Sequence, residues 1–92
     1  MSSRQAIRCL VAGRVQGVYY RGAAAEQAQR LQLDGWVKNL ADGRVEVVAA
    51  GQPNAVASLT SWLWQGPPAA RVDAVHVEEW TGNVPPGFSV AK

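Results

Sequence analysis

The sequence predicts an α+β domain in which two helices cover one face of a four- to five-stranded antiparallel sheet. Two observations carry that expectation: the apolar residues switch twice between a period of two and a helical period, and an Asp–Gly pair at 42–43 separates two Val-rich runs.

Residues 6–13 alternate, with Ile7, Cys9 and Val11 on one face and Arg8, Leu10 and Ala12 on the other, so they form the first strand. From Tyr20 the apolar positions become Tyr20, Ala24, Ala28 and Leu31, one stripe of a helix, with Gly35 as its expected stop. The stretch 35–51, GWVKNLADGRVEVVAAG, is a tight hairpin of two strands around Asp42 and Gly43. Gly51 and Pro53 end that pattern. Val56, Leu59 and Leu63 then recur at helical spacing until Gly66, Pro67 and Pro68 close a second helix. Residues 71–80 alternate again around Val75 and Val77, and FSV at 88–90 is a small edge strand. The order strand, helix, strand, strand, helix, strand is that of the ferredoxin-like split βαβ arrangement. Residues 1–92 make one domain, because a chain of this length builds a single core.

Composition narrows the function classes. With 48% apolar and 17% charged residues the chain is globular, and no apolar run approaches the roughly 20 residues of a membrane span. The N-terminus MSSRQAIR lacks the apolar core of a secretory signal, so the expected location is cytoplasmic, with no membrane partner. A net charge of +2 suits anionic ligands but falls short of a nucleic-acid-binding patch. RNA-recognition domains share this fold, yet the central strands would show Arg8, Leu10, Ala12, Glu46, Val48 and Ala50 on the open face, with no aromatic to stack a base. Cys9 reads as a buried side chain, and Trp36, Trp62, Trp64 and Trp80 as packing residues. His76, on a strand beside Glu78 and Glu79, reads as a sheet-face residue rather than a metal ligand.

Residues 13–21, GRVQGVYYR, join the first strand to the first helix. Gly13 and Gly17 allow successive amide groups to converge on an anion, and the helix adds the positive end of its dipole. Arg21 supplies a planar fork of donors matched to two phosphate oxygens. Glycines before a helix also serve tight turns, so the loop alone leaves a backbone role equally open. Topology adds a second element, because strands one and two end at the same sheet edge and bring Asn39–Gly43 beside GRVQGVYYR.

GRVQGVYYR together with GWVKNLADGRVEV at 35–47 resembles the acylphosphatase family, small ferredoxin-like enzymes that hydrolyse the mixed anhydride of a carboxylate and phosphate. The resemblance implies that Arg21 binds the phosphoryl group and that Asn39 positions the attacking water. It implies a phosphate cradle in the backbone of Val15, Gln16, Gly17, Val18, Tyr19 and Tyr20, closed by Arg21. Two residues depart from the family pattern. Tyr20 stands where phenylalanine is usual, and Leu40 follows the asparagine where some members have threonine.

The implied reaction expels a carboxylate whose conjugate acid has a pKa of about 4, so no general acid is required. Binding the phosphoryl oxygens and placing water are the remaining tasks. The expectation is a monomeric, metal-independent hydrolase of a small-molecule acyl phosphate with no cofactor. A carbamoyl-phosphate-handling domain like that of hydrogenase-maturation carbamoyltransferases shares the same motifs and is the alternative.

Overall fold

In the computed structural model, which describes residues 3–91, the chain forms β1 (Gln5–Arg14), α1 (Tyr20–Arg30), β2 (Asp34–Asn39), β3 (Val45–Gly51), α2 (Pro53–Gln65), β4 (Arg71–Glu79) and β5 (Phe88–Ala91). The strands make one sheet in the order β4-β1-β3-β2-β5. The pairs β1–β3, β1–β4 and β2–β3 are antiparallel, as expected. β5 departs from that expectation, running parallel to β2 with Val37 opposite Val90 and making the sheet mixed. Its direction follows from routing, since the chain returns from β4 along residues 80–87 and reaches the far edge pointing the same way as β2.

Alternation along β1 and β3 sorts the two faces. Ile7, Cys9, Val11, Val45, Val47 and Ala49 are buried against the helices, where they meet Ala24 and Ala28 of α1 and Val56, Leu59 and Leu63 of α2. Leu59 and Leu63 are fully buried, and truncating either to Ala costs about 2–5 kcal/mol, a large share of a small domain's stability. α2 begins with Pro53 in its first turn, where the missing N–H has no partner to lose. It ends at Gly66, whose φ of 67° few other residues adopt readily.

α1 ends earlier than its glycine suggests. Gln32 takes φ 58° and its N–H bonds to the Gln29 carbonyl, while the Leu33 N–H reaches the Ala28 carbonyl at 2.9 Å. This is a Schellman motif with Gln in the glycine position. Gly35 lies inside β2 instead, at φ 137°, where a Cβ would come within 1.8 Å of the Val48 carbonyl oxygen. Backbone crowding, not helix termination, requires that glycine.

The face away from the helices is partly closed. Trp36, opposite Val48 in the ladder, meets Trp80 edge-to-face at 5.6 Å, and Val48 and Ala50 are buried on this side. Glu46 accepts from Trp36 Nε1 at 2.9 Å and from Arg8 Nε at 2.8 Å, and Arg8 also pairs with Glu78. Trp36 and Trp80 thus pack on each other, and Trp62 packs on Tyr20 at 5.7 Å. Trp64 does not pack as expected: it lies on the outer side of α2, 52% exposed.

Candidate active site

The end of β1 is bent before the loop begins. A register shift between Ala12 and Gly13 brings Gly13, at φ 132°, so close to β4 that a Cβ would lie 2.2 Å from the Arg71 carbonyl oxygen. Beyond the bend the loop alternates anchors with free backbone. Val15 is buried in the core and Val18 packs against it. Gln16 reaches the β2–β3 turn, its Nε2 donating to the Leu40 carbonyl at 2.9 Å and the Arg44 carbonyl at 3.0 Å. Gly17 at φ 76° and Tyr19 at φ 64° are left-handed, the alternation that turns successive amides to one side.

Tyr19 caps α1 only through its carbonyl, which accepts from the Ala23 N–H. No side chain caps this helix start and no acidic residue occupies its first turn, which leaves the dipole's positive end unneutralised from within. Tyr20 is 1% exposed, and its hydroxyl donates to the Leu63 carbonyl at 2.6 Å. In a continuing helix that carbonyl would accept from residue 67, which is proline and has no N–H. The phenol at the position where phenylalanine is usual therefore satisfies the end of α2.

Arg21 Nη1 donates to the Ala91 carbonyl at 3.2 Å, so β5 orients the guanidinium. Among the described residues no carboxylate forms an ion pair with it. Asn39 is the last residue of β2, opposite Val45, and its Oδ1 is buried without a hydrogen-bond partner among the described residues. A cleft of about 290 Å³ is lined by Val15, Gly17, Tyr19, Tyr20, Arg21, Gly22, Asn39 and Val90. The two polar side chains expected to act together thus share one cleft. Gln16 and Val18 lie behind it, as brace and core contact. Gly22 and Val90 were not foreseen. A glycine inside a helix was a signal for the first, and nothing in the short β5 run pointed to the second.

Other reactive side chains are placed differently. Burial pushes the Cys9 thiol up to about 12, leaving a poor nucleophile away from the cleft. His76 is exposed, 3.6 Å from Glu78, and no three His, Cys, Asp or Glu side chains among the described residues group as metal ligands. Among the described residues no helix is long and apolar enough to cross a membrane.

Residues 7–90 match the sequence model of the acylphosphatase family. The chain belongs to the acylphosphatase family. An acylphosphatase of Halorhodospira halophila is 51% identical over 89 residues, covering 97% of each chain. Among solved structures, an acylphosphatase from Coxiella burnetii superimposes with a TM-score of 0.90 at 44% identity, over 96% of this chain and 93% of the other. Acylphosphatase from Bacillus subtilis also gives a TM-score of 0.90, at 36% identity, over 98% and 100% of the two chains. The expected acylphosphatase-type hydrolase and the ferredoxin-like fold stand on these matches.

Proposed function

We propose that the protein hydrolyses the carboxyl–phosphate anhydride of small acyl phosphates to a carboxylate and inorganic phosphate. The observation that carries this reading is the meeting of Arg21, Asn39 and the loop residues Gly17, Tyr19 and Tyr20 in one cleft, from two segments distant in sequence.

On this reading the amides of residues 15–20 and the Arg21 guanidinium hold the phosphoryl oxygens and stabilise charge as the P–O bond to the carboxylate breaks. The hydrogen bond from Arg21 to Ala91 uses one of five donors and leaves the others for phosphate. Asn39 Oδ1, a buried acceptor without a protein donor among the described residues, suits a water O–H. Asn39 orients that water without deprotonating it, since an amide is not a base. The water attacks phosphorus, the bridging oxygen leaves as carboxylate, and the proton passes to solvent. No step is assigned to a metal or cofactor. Action as a monomer belongs to the same reading, and a buried, unpaired cysteine accords with a cytoplasmic setting.

Phosphate release from benzoyl phosphate by the purified protein, with a phosphate monoester as control, tests the reading. Asn39→Ala is expected to cut kcat roughly 10²–10³-fold, by analogy with a lost oxyanion-hole donor, while competitive inhibition by inorganic phosphate persists. Arg21→Ala weakens both together. Turnover of the monoester but not the anhydride rejects the proposal, and full activity in a folded Asn39→Ala variant removes Asn39 from it.

A further inference from the structure

Four large apolar side chains among the described residues are notably exposed: Tyr19 at 65%, Trp64 at 52%, Val90 at 46% and Val77 at 44%. Single exposed apolar residues are ordinary on a protein surface. Two of these four, however, line the same cleft from opposite elements, Tyr19 from the loop and Val90 from β5. They flank Arg21, which follows Tyr19 closely in the chain and is held by the carbonyl of Ala91, next to Val90.

The Tyr19 ring is held in place. It lies over Gly22, where a Cβ would come within 2.3 Å of the ring, and its hydroxyl donates to the Glu26 carboxylate. A glycine in the first turn of α1 thus makes room for the ring against the helix. An aromatic surface fixed in this way loses little side-chain freedom when a ligand covers it. The polar donors of the cleft match a phosphoryl group, and the remainder of the substrate has this apolar rim to rest on.

We propose that Tyr19 and Val90 form the subsite for the acyl half of the substrate, favouring an apolar and above all an aromatic acyl group. The inference rests on the acyl phosphate reading above and adds the substrate class. Because Glu26 borders the subsite, a carboxylated acyl chain is disfavoured there.

Steady-state kinetics with acetyl, butyryl and benzoyl phosphate test it. Acetate and butyrate are leaving groups of closely matched basicity that differ in apolar surface, whereas benzoate is a weaker base, an advantage common to the protein and its variants that cancels when their benzoyl-to-acetyl ratios are compared. Each extra methylene, half-covered by the rim, is expected to raise kcat/KM about twofold. Benzoyl phosphate is expected to exceed acetyl phosphate about tenfold through ring contact with Tyr19. Val90→Thr, a near-isosteric change on an exposed strand position, lowers the benzoyl-to-acetyl ratio about twofold to threefold. Tyr19→Asn, which retains access to the left-handed backbone, lowers it severalfold. Inhibition by inorganic phosphate, measured on each variant, reports the phosphate half of the cleft separately. Equal kcat/KM for the three substrates in the unmodified protein, or an unchanged ratio in both variants, overturns the subsite alone. Absence of turnover with all three overturns the acyl phosphate reading and the subsite with it.

Discussion

Replacing Tyr20 with Phe removes one buried oxygen and leaves the ring in place. The Tyr20 hydroxyl is the donor, at 2.6 Å, to a Leu63 carbonyl whose helical partner position is taken by Pro67. Burial pushes the phenol's ionisation well above its ordinary range, so this donor persists through the whole physiological pH range. In Tyr20→Phe the Leu63 carbonyl stays buried beside the ring and loses that bond. A buried acceptor left this way costs about 1–2 kcal/mol. At roughly 4–8 °C per kcal/mol for a domain of this size, the midpoint of thermal unfolding should fall by about 4–16 °C. Circular dichroism melts of the two proteins at pH 7 measure the difference. An unchanged or raised Tm would show that the Leu63 carbonyl finds another donor, and that the phenol is a neutral replacement for phenylalanine rather than the cap of α2.

Three further outcomes are expected. Cys9, with its thiol raised to about 12 by burial, should resist an alkylating reagent at pH 8 in the native protein and react fully in denaturant; stoichiometric labelling of the native state would refute this. Burial opposes the charge on Glu46, but its bonds to Trp36 and Arg8 outweigh that and hold the carboxyl below the usual range, as Arg8 does for Glu78. The unfolded chain then binds protons that the native state does not, so stability holds above about pH 5 and falls as pH drops below about 4; urea unfolding across that range should show a shallower fall for Glu46→Gln, and an equal slope would count against it. Gln16→Ala should raise the inhibition constant for inorganic phosphate severalfold while costing only about 1 kcal/mol of stability, because the Leu40 and Arg44 carbonyls keep backbone donors at 3.2 and 2.8 Å. A stability loss with unchanged phosphate inhibition would make Gln16 a brace of the turn alone.

What was legible in the sequence follows the strength of its periods. The alternation of Ile7, Cys9 and Val11 survives intact because β1 has a helix-covered face and a different one behind it. The Asp42–Gly43 hairpin is likewise local chemistry, with Gly43 at φ 94° and the Asp42 carboxylate accepting from the Arg44 N–H. The end of α1 was misread because Gln32 does what glycine usually does, while the nearby glycine answers to a contact with β3 that is remote in sequence. The parallel pairing of β5 depends on the route of residues 80–87, and no four-residue run encodes direction. At the cleft, Arg21 and the loop belong to one contiguous stretch, and Asn39 could be placed beside them from strand order. Val90 could not, since only the register of β5 against β2 brings it there.

The position of β1 between β3 and β4 sets the timescale on which the protein assembles. Its ladder partners include Gly51 for Gln5 and Glu79 for Ile7, so the middle of the sheet is built from contacts that span most of the chain. Closing such large loops precedes any gain from burial, which places refolding of this topology in milliseconds to seconds rather than microseconds. The β2–β3 hairpin can form within about 1–10 μs on its own, carrying Asn39, but Arg21 and its loop reach it only when β1 docks. Catalytic competence should therefore return with the slow, global phase of refolding, and a collapsed form with native-like hairpin and helices should be inactive.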